Sequence, residues 1–239
     1  MTPNPVALIT GGSRGLGLAL ARALAERGWR VVVDGRDAAR LTAAVAATPS
    51  LVPVAGDVTD TAHRRALVDA ASALGGPDLV VANASELGPS PLPALAAAPL
   101  DAVRAVYETN VIAPLALAQL VLPALRASGG TWLAISSDAA AQAYPGWGVY
   151  GPSKAALDHL TAVLAAEEPA VRAYAVDPGD LRTEMHQRAF PGEDISDRPL
   201  PEQVVPSILR LLERRPPSGR YRAGHPASQG AGPREEATR

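Results

Sequence analysis

Val6-Ala7-Leu8-Ile9-Thr10-Gly11-Gly12-Ser13-Arg14-Gly15-Leu16-Gly17 joins a short apolar run to a cluster of glycines. Leu16, Leu20 and Leu24 then recur at helical spacing as far as Gly28, so the segment reads as strand, loop and helix. Glycines free the loop's amides for close approach, and the positive end of the helix dipole stands behind them, which suits a pyrophosphate. The spacing is G-x-x-x-G-x-G, not the G-x-G-x-x-G of the common dinucleotide fingerprint. A glycine-rich turn can equally be a tight turn under a helix; its position directly after the first strand favours the anion-binding reading.

The same alternation continues outward. Val31-Val33, Leu51-Val54, Asp78-Ala82, Thr131-Ile135 and Val171-Val176 are predicted strands. Helices are predicted over about Asp37-Ala47, Thr61-Leu74 and Tyr150-Glu167, with a long helical stretch after Pro99 bent near Asn110 and Pro114. Pro201-Arg214 reads as a further helix and Gly219-Ala223 as a last edge strand. Continuous β-branched runs alternating with amphipathic helices imply an α/β fold, a mostly parallel sheet covered on both faces, with right-handed crossovers. One domain over 1–224 is expected, and a Gly-, Pro- and charge-rich tail over 225–239 is expected to be disordered.

The 239 residues suffice for a sizeable core. A net charge of −2 with scattered signs leaves no basic stripe for nucleic acid and no polybasic membrane anchor. There is no cysteine, no positively charged leader and no uninterrupted apolar stretch near 18 residues, so a cytoplasmic location is expected. His63, His159, His186 and His225 lack metal-ligand spacing, and no metal is expected.

Of 22 basic Lys or Arg residues only Lys154 is lysine, four positions after Tyr150. On one helix that spacing puts both on one face, where an ammonium can lower the phenol pKa and make it a general acid/base.

Taken in order, the glycine spacing, Asp57-Val58, Asn83-Ala84, Asn110, Ser137, Tyr150-x-x-x-Lys154 and Pro178-Gly179 resemble the short-chain dehydrogenase/reductase family over about Val6 to Thr183. The resemblance implies a Rossmann-like three-layer αβα sandwich with six to seven strands in the order 3-2-1-4-5-6-7. It implies that Gly11, Ser13, Arg14, Gly15, Leu16 and Gly17 hold the pyrophosphate end of a nicotinamide dinucleotide, that Asp57 and Val58 meet the adenine, and that Asn83 and Ala84 stand near a ribose. Pro178, Gly179, Leu181 and Thr183 would line the nicotinamide. Ser137 would polarise a substrate carbonyl, Tyr150 would protonate it, Lys154 would assist the tyrosine and bond the ribose, and Asn110 would hold a water linking Lys154 to solvent. The implied reaction is hydride transfer between the cofactor and a small carbonyl or alcohol substrate.

Cofactor choice follows from charge at the end of the second strand, Val33-Asp34-Gly35-Arg36. The discriminating carboxylate of the family falls at Gly35, and Arg36, with Arg14, is suited to a 2′-phosphate, so NADP(H) is expected over NAD(H). Asp34 would favour NAD(H) if it reached the ribose. Ser85, Asp177 and Asp180 depart from the family pattern.

Leu87, Ala139, Tyr144, Trp147, Met185, His186 and Phe190 are candidate substrate-wall residues, with a substrate loop over about 180–200. A homodimer or homotetramer is expected through the faces Ala113-Leu115-Leu117-Leu120 and Leu157-Leu160-Val163-Leu164. Rival readings are a non-catalytic NADP(H)-binding or sensing protein, against which the retained Tyr/Lys pair argues, and a dehydratase or epimerase, against which the short C-terminal region argues.

Overall fold

Val6–Ile9 (β1) is buried at every residue. Val6 and Leu8 enter one core with Leu67, Leu117, Val121 and Trp132, while Ala7 and Ile9 enter a second with Leu20, Val33, Leu133 and Ile208. Side chains alternate along a strand, so one that feeds two cores must be covered on both faces. The computed structural model, which describes residues 4–224, has that arrangement. The tail expectation for 225–239 lies outside the described residues.

Seven strands form one sheet in the order β3-β2-β1-β4-β5-β6-β7. With β1 they are β2 (Arg30–Gly35), β3 (Leu51–Ala55), β4 (Leu79–Ala82), β5 (Thr131–Ile135), β6 (Arg172–Asp177) and β7 (Gly219–Arg222). Every pairing is parallel, including the edge pair β6 and β7. One face carries α1 (Gly15–Ala25), α2 (Ala38–Val45) and α8 (Pro201–Arg214). The other carries α3 (Thr61–Ala73), α5 (Ala113–Ser128) and α6 (Tyr150–Glu167). Three short elements were not anticipated: turns of 3₁₀ helix at Leu95–Ala97 and Asp138–Ala140, and a short α-helix at Glu184–Ala189.

The bend expected near Asn110 is a turn of π-helix, Glu108–Ile112, between α4 (Leu100–Tyr107) and α5. Pro114 has no N–H to return to the Asn110 carbonyl, and Ala113 donates to Glu108 instead, widening the turn. The continuous helix Leu100–Ser128 is long and apolar enough by composition to cross a membrane. Its side chains Leu117, Val121 and Leu125 are fully buried against the sheet, and 39% of the apolar stretch is buried in all. The faces proposed for subunit contact divide accordingly: Ala113, Leu117 and Leu157 belong to the interior, whereas Leu115, Leu120 and Val163, with Ile112, reach the surface.

The ends of β1 and β4 are joined by Thr10, whose hydroxyl accepts from the amides of Asn83 and Ala84, both at 3.0 Å. Thr10→Val keeps the volume but leaves those amides without their acceptor. The variant is expected to lose about 2 kcal/mol of unfolding free energy in urea titration.

Candidate active site at the carboxyl edge of the sheet

All parallel strands end on one edge, and a cleft of about 810 Å³ runs along it. Gly11, Ser13, Arg14, Gly15 and Leu16 line it, as do Arg36, Asp57, Val58, Asn83 and Ala84. Ser137, Tyr150, Lys154, Pro178, Gly179, Leu181 and Thr183 line it too. Of the residues singled out from the sequence, the structure leaves only Gly17 and Asn110 outside this lining.

Gly17 is needed for packing: a Cβ there would stand 2.5 Å from the Asn83 amide nitrogen and the same distance from the Gly11 carbonyl. Gly11 and Gly15 adopt φ of +69° and +56°, the left-handed region that side chains disfavour. No side chain caps the start of α1 and its first turn holds no acid, so its amides are matched to an external anion. Together with Arg14 and Arg36 these features fit a phosphate-bearing dinucleotide.

Asp34 lines the cleft, but its carboxylate is already engaged within the protein. Strand alternation turns it toward α3, where Oδ1 accepts the Gly11 amide at 2.5 Å and Oδ2 meets His63 Nε2 at 3.1 Å. The pair is buried. Gly35 is glycine because a Cβ would lie 2.9 Å from the Ser13 Cβ. Burial raises the Asp57 carboxyl, but bonds from the Thr59 amide (2.9 Å) and hydroxyl (2.8 Å), with Arg36 nearby, hold it below its ordinary value.

At the opposite end Tyr150 and Lys154 share one face of α6. Lys154 is 1% exposed and donates to the Ile135 carbonyl at 2.8 Å, with Nζ 5.6 Å from the Tyr150 ring centre. Burial lowers the Lys154 pKa to about 8, and Asp158, one turn further along α6, opposes that shift. The expected lowering of the phenol by Lys154 is not what the structure has. Burial pushes Tyr150 well above its ordinary value; the hydroxyls of Ser85 and Ser137 favour its ionised form, and Asp138 and Asp177 oppose it. Ser137 caps the turn Asp138–Ala140, accepting from the Ala139 amide (3.2 Å) and donating to Asp138 Oδ1 (3.0 Å).

Asn110 is fully buried and its amide is saturated within the protein. Oδ1 accepts from the Glu86 amide (2.8 Å) and Ser85 hydroxyl (3.2 Å), while Nδ2 donates to the Glu86 carbonyl and the Ser153 hydroxyl (2.9 Å each). Its side chain therefore positions the loop after β4 and the first turn of α6 without touching Lys154.

Several site residues were not identified from the sequence. Ser85 stood out there only as a departure, yet it joins Asn110 and stands beside the phenol. Glu184, first residue of α7 (Glu184–Ala189), pairs with Arg14 and, at 3.2 Å, with Arg40. Thr183 caps α7 by accepting from the His186 amide at 3.2 Å. All seven candidate substrate-wall residues line the cleft. Trp147 packs edge-on to Tyr150 with ring centres 5.6 Å apart and against Phe190 at 6.0 Å.

A three-layer αβα sheet with a glycine-lined cleft ending at Ser137, Tyr150 and Lys154 defines a nucleotide-dependent oxidoreductase of the Rossmann type. The short chain dehydrogenase family model matches residues 5–194, and the chain belongs to that family. It is 34% identical over 185 residues to an uncharacterised oxidoreductase of Schizosaccharomyces pombe, covering 77% of this chain and 74% of that one. It is 33% identical over 217 residues to the benzil reductase, (S)-benzoin forming, of Saccharomyces cerevisiae, covering 85% and 80%. A short chain dehydrogenase from Shigella flexneri, solved as a complex with NADP, superposes with a TM-score of 0.84 at 27% identity, covering 92% of this chain and 96% of that one.

Lys154 carries a stability cost with a definite pH window. Its pKa is about 8 folded against 10.5 as a free side chain. Between those values the unfolded chain binds more protons, so this term stabilises as pH rises and its penalty is complete below about pH 8. Lys154→Met is expected to melt higher than the unaltered protein at pH 7, by up to about 3 kcal/mol of free energy. The gap should close as pH rises toward 10.5 in calorimetry.

Proposed function

We propose that the chain is an NADP(H)-dependent carbonyl reductase and alcohol dehydrogenase in which Tyr150 is the general acid/base. The observation that carries this reading is the convergence of Ser137, Tyr150 and Lys154 at one end of a cleft whose other end is the glycine loop. When bound, the nicotinamide supplies or receives the hydride.

The protein's own groups handle the proton and the developing charge. Ser137 turns its hydroxyl from Asp138 to the substrate oxygen and steadies negative charge there. Tyr150, kept protonated by burial, gives its proton to that oxygen, an alkoxide being a stronger base than a phenolate. Ser85 and Ser137 favour the phenolate left behind. Lys154 is held by Ile135 and lines the cleft, where it would bond a ribose hydroxyl of the cofactor. In the oxidative direction the phenolate must exist first, so turnover should rise with pH, whereas reduction should fall.

NADP(H) over NAD(H) is supported by Arg14 and Arg36 at the cleft, by Gly35 in place of a carboxylate, and by Asp34 being engaged with Gly11 and His63. Solved structures of this fold include a complex with NADP and one with NADH. The substrate is a small carbonyl compound or its alcohol, and the aromatic wall of Trp147 and Phe190 suits an apolar one. Assembly as a homodimer or homotetramer would cover the outward Ile112, Leu115, Leu120 and Val163.

Oxidation of NADPH over a panel of ketones, aldehydes and diketones, with benzil included because of the yeast relative, tests the reading. Tyr150→Phe should lower kcat by about a hundredfold or more while leaving the NADPH Kd within about twofold. Retained turnover removes Tyr150 as the acid. Arg36→Ala should weaken NADPH by about tenfold and NADH little, measured by fluorescence titration. Equal losses for both would refute the 2′-phosphate role.

A further inference from the structure

Arg220, on the edge strand β7, lies outside every motif recognised in the sequence. Its guanidinium nevertheless meets three segments that bear on the site. Nη2 donates to the Ser137 carbonyl at 2.8 Å, Nε donates to Asp158 Oδ2 at 2.9 Å, and Nη2 stands 3.7 Å from Asp177 Oδ2. Asp177 in turn accepts the Gly179 amide at 2.9 Å, fixing the Pro178-Gly179 turn. Asp158 is on α6 one turn beyond Lys154, and its Oδ1 is buried with no hydrogen-bond partner among the described residues.

We propose that Arg220 is a positioning residue for the reductase chemistry, holding Ser137 by its carbonyl and neutralising the half-buried carboxylate of Asp158 and the buried one of Asp177 behind Lys154 and Tyr150.

The planar fork of arginine can serve a carbonyl and two carboxylates at once, which an ammonium does poorly. The Asp158 and Asp177 side chains are 15% and 4% exposed. Besides Arg220, Asp177 has only Arg222 at 3.8 Å, itself 72% exposed, among the ion pairs of the described residues. A buried carboxylate stripped of its partner is costly and projects its field onto neighbours. Here the neighbours are Lys154, whose charged form Asp158 favours, and Tyr150, whose ionisation Asp177 opposes. Asp138, in the turn after β5, acts on Tyr150 in the same sense as Asp177. The charged groups around the pair are therefore Asp158 on α6, Asp138 after β5, Asp177 on β6, and Arg220 and Arg222 on β7. The arrangement also gives a role to Asp177, which departs from the family pattern.

The inference rests on the reading of Ser137, Tyr150 and Lys154 given above, but its main test does not need turnover. The chain's one lysine provides a single signal when lysine is labelled with ¹³C at Cε, so its titration can be followed by NMR. The midpoint should lie near the Lys154 value of about 8 in the unaltered protein. Removing a cation leaves Asp158 acting on Lys154 alone, so Arg220→Met should raise the midpoint by about half a unit or more, and Asp158→Asn should lower it. Midpoints unmoved in both variants, with melting temperatures showing them folded, overturn the proposal. If Arg220→Met does not fold, an unmoved midpoint in Asp158→Asn alone overturns it.

With the carbonyl compound turned over fastest in the panel, Arg220→Met should lose about tenfold in kcat with KM changed less than about threefold. A loss confined to KM overturns the hold on Ser137. Shifted Lys154 midpoints in a protein that turns over nothing would sink the reductase reading while supporting the electrostatic coupling.

Discussion

Parallel pairing obliges every strand of the sheet to finish on the same edge. Once Val6–Ile9 runs between β2 and β4 with both faces covered, the loops after all of its neighbours gather along one line. There the chain must leave the sheet, and backbone groups no longer satisfied by the ladder are available to something else. The glycine loop, the Asn83-Ala84 segment, Ser137 and Pro178-Gly179 are successive points on that line. Thr10 and Asn83 join two of them directly, since the Asn83 amide donates to the Thr10 and Gly11 carbonyls. The site is thus a property of strand direction before it is a property of any side chain.

Onto that edge the protein brings several buried charges, each with a defined partner. Lys154 has a backbone carbonyl, Asp34 has an amide and His63, and Asp177 has an amide and two guanidinium groups. Charges placed in this way are poor contributors to stability and strong determinants of local electric field. The core supplies the stability instead, with Leu8, Ile9, Leu20, Leu67, Leu117 and Leu125 excluded from water on the two sides of the sheet.

The positions of strands and helices, the helix faces and the meeting of Tyr150 with Lys154 were legible because each rests on short-range periodicity, whereas strand order came from the family resemblance. Two residues four apart on a helix share a face whatever surrounds them. What escaped depends on distant partners or on the backbone. The orientation of Asp34 is decided by His63, on a different helix, and by the amide of Gly11. Lys154 is anchored by the carbonyl of Ile135, which no side-chain identity announces. The phenol of Tyr150 responds first to burial, a quantity of the assembled fold, so a neighbouring ammonium could be read from spacing while its effect could not. Asn110 was found as a motif, but the saturation of its amide by Ser85, Glu86 and Ser153 required the π-helical turn. The short helix α7 carries too few residues for a periodic signal.

The single lysine has one more consequence, unrelated to catalysis. With its amine donated to the carbonyl of Ile135 and the residue 1% exposed, the folded chain offers its one lysine side chain to acylating or alkylating reagents through the cleft alone. A reagent reaches Lys154 by way of that cleft, so anything that fills the cleft shields it. The rate at which a small amine-directed reagent captures that side chain therefore reports how freely the cleft is open, without any substrate being known.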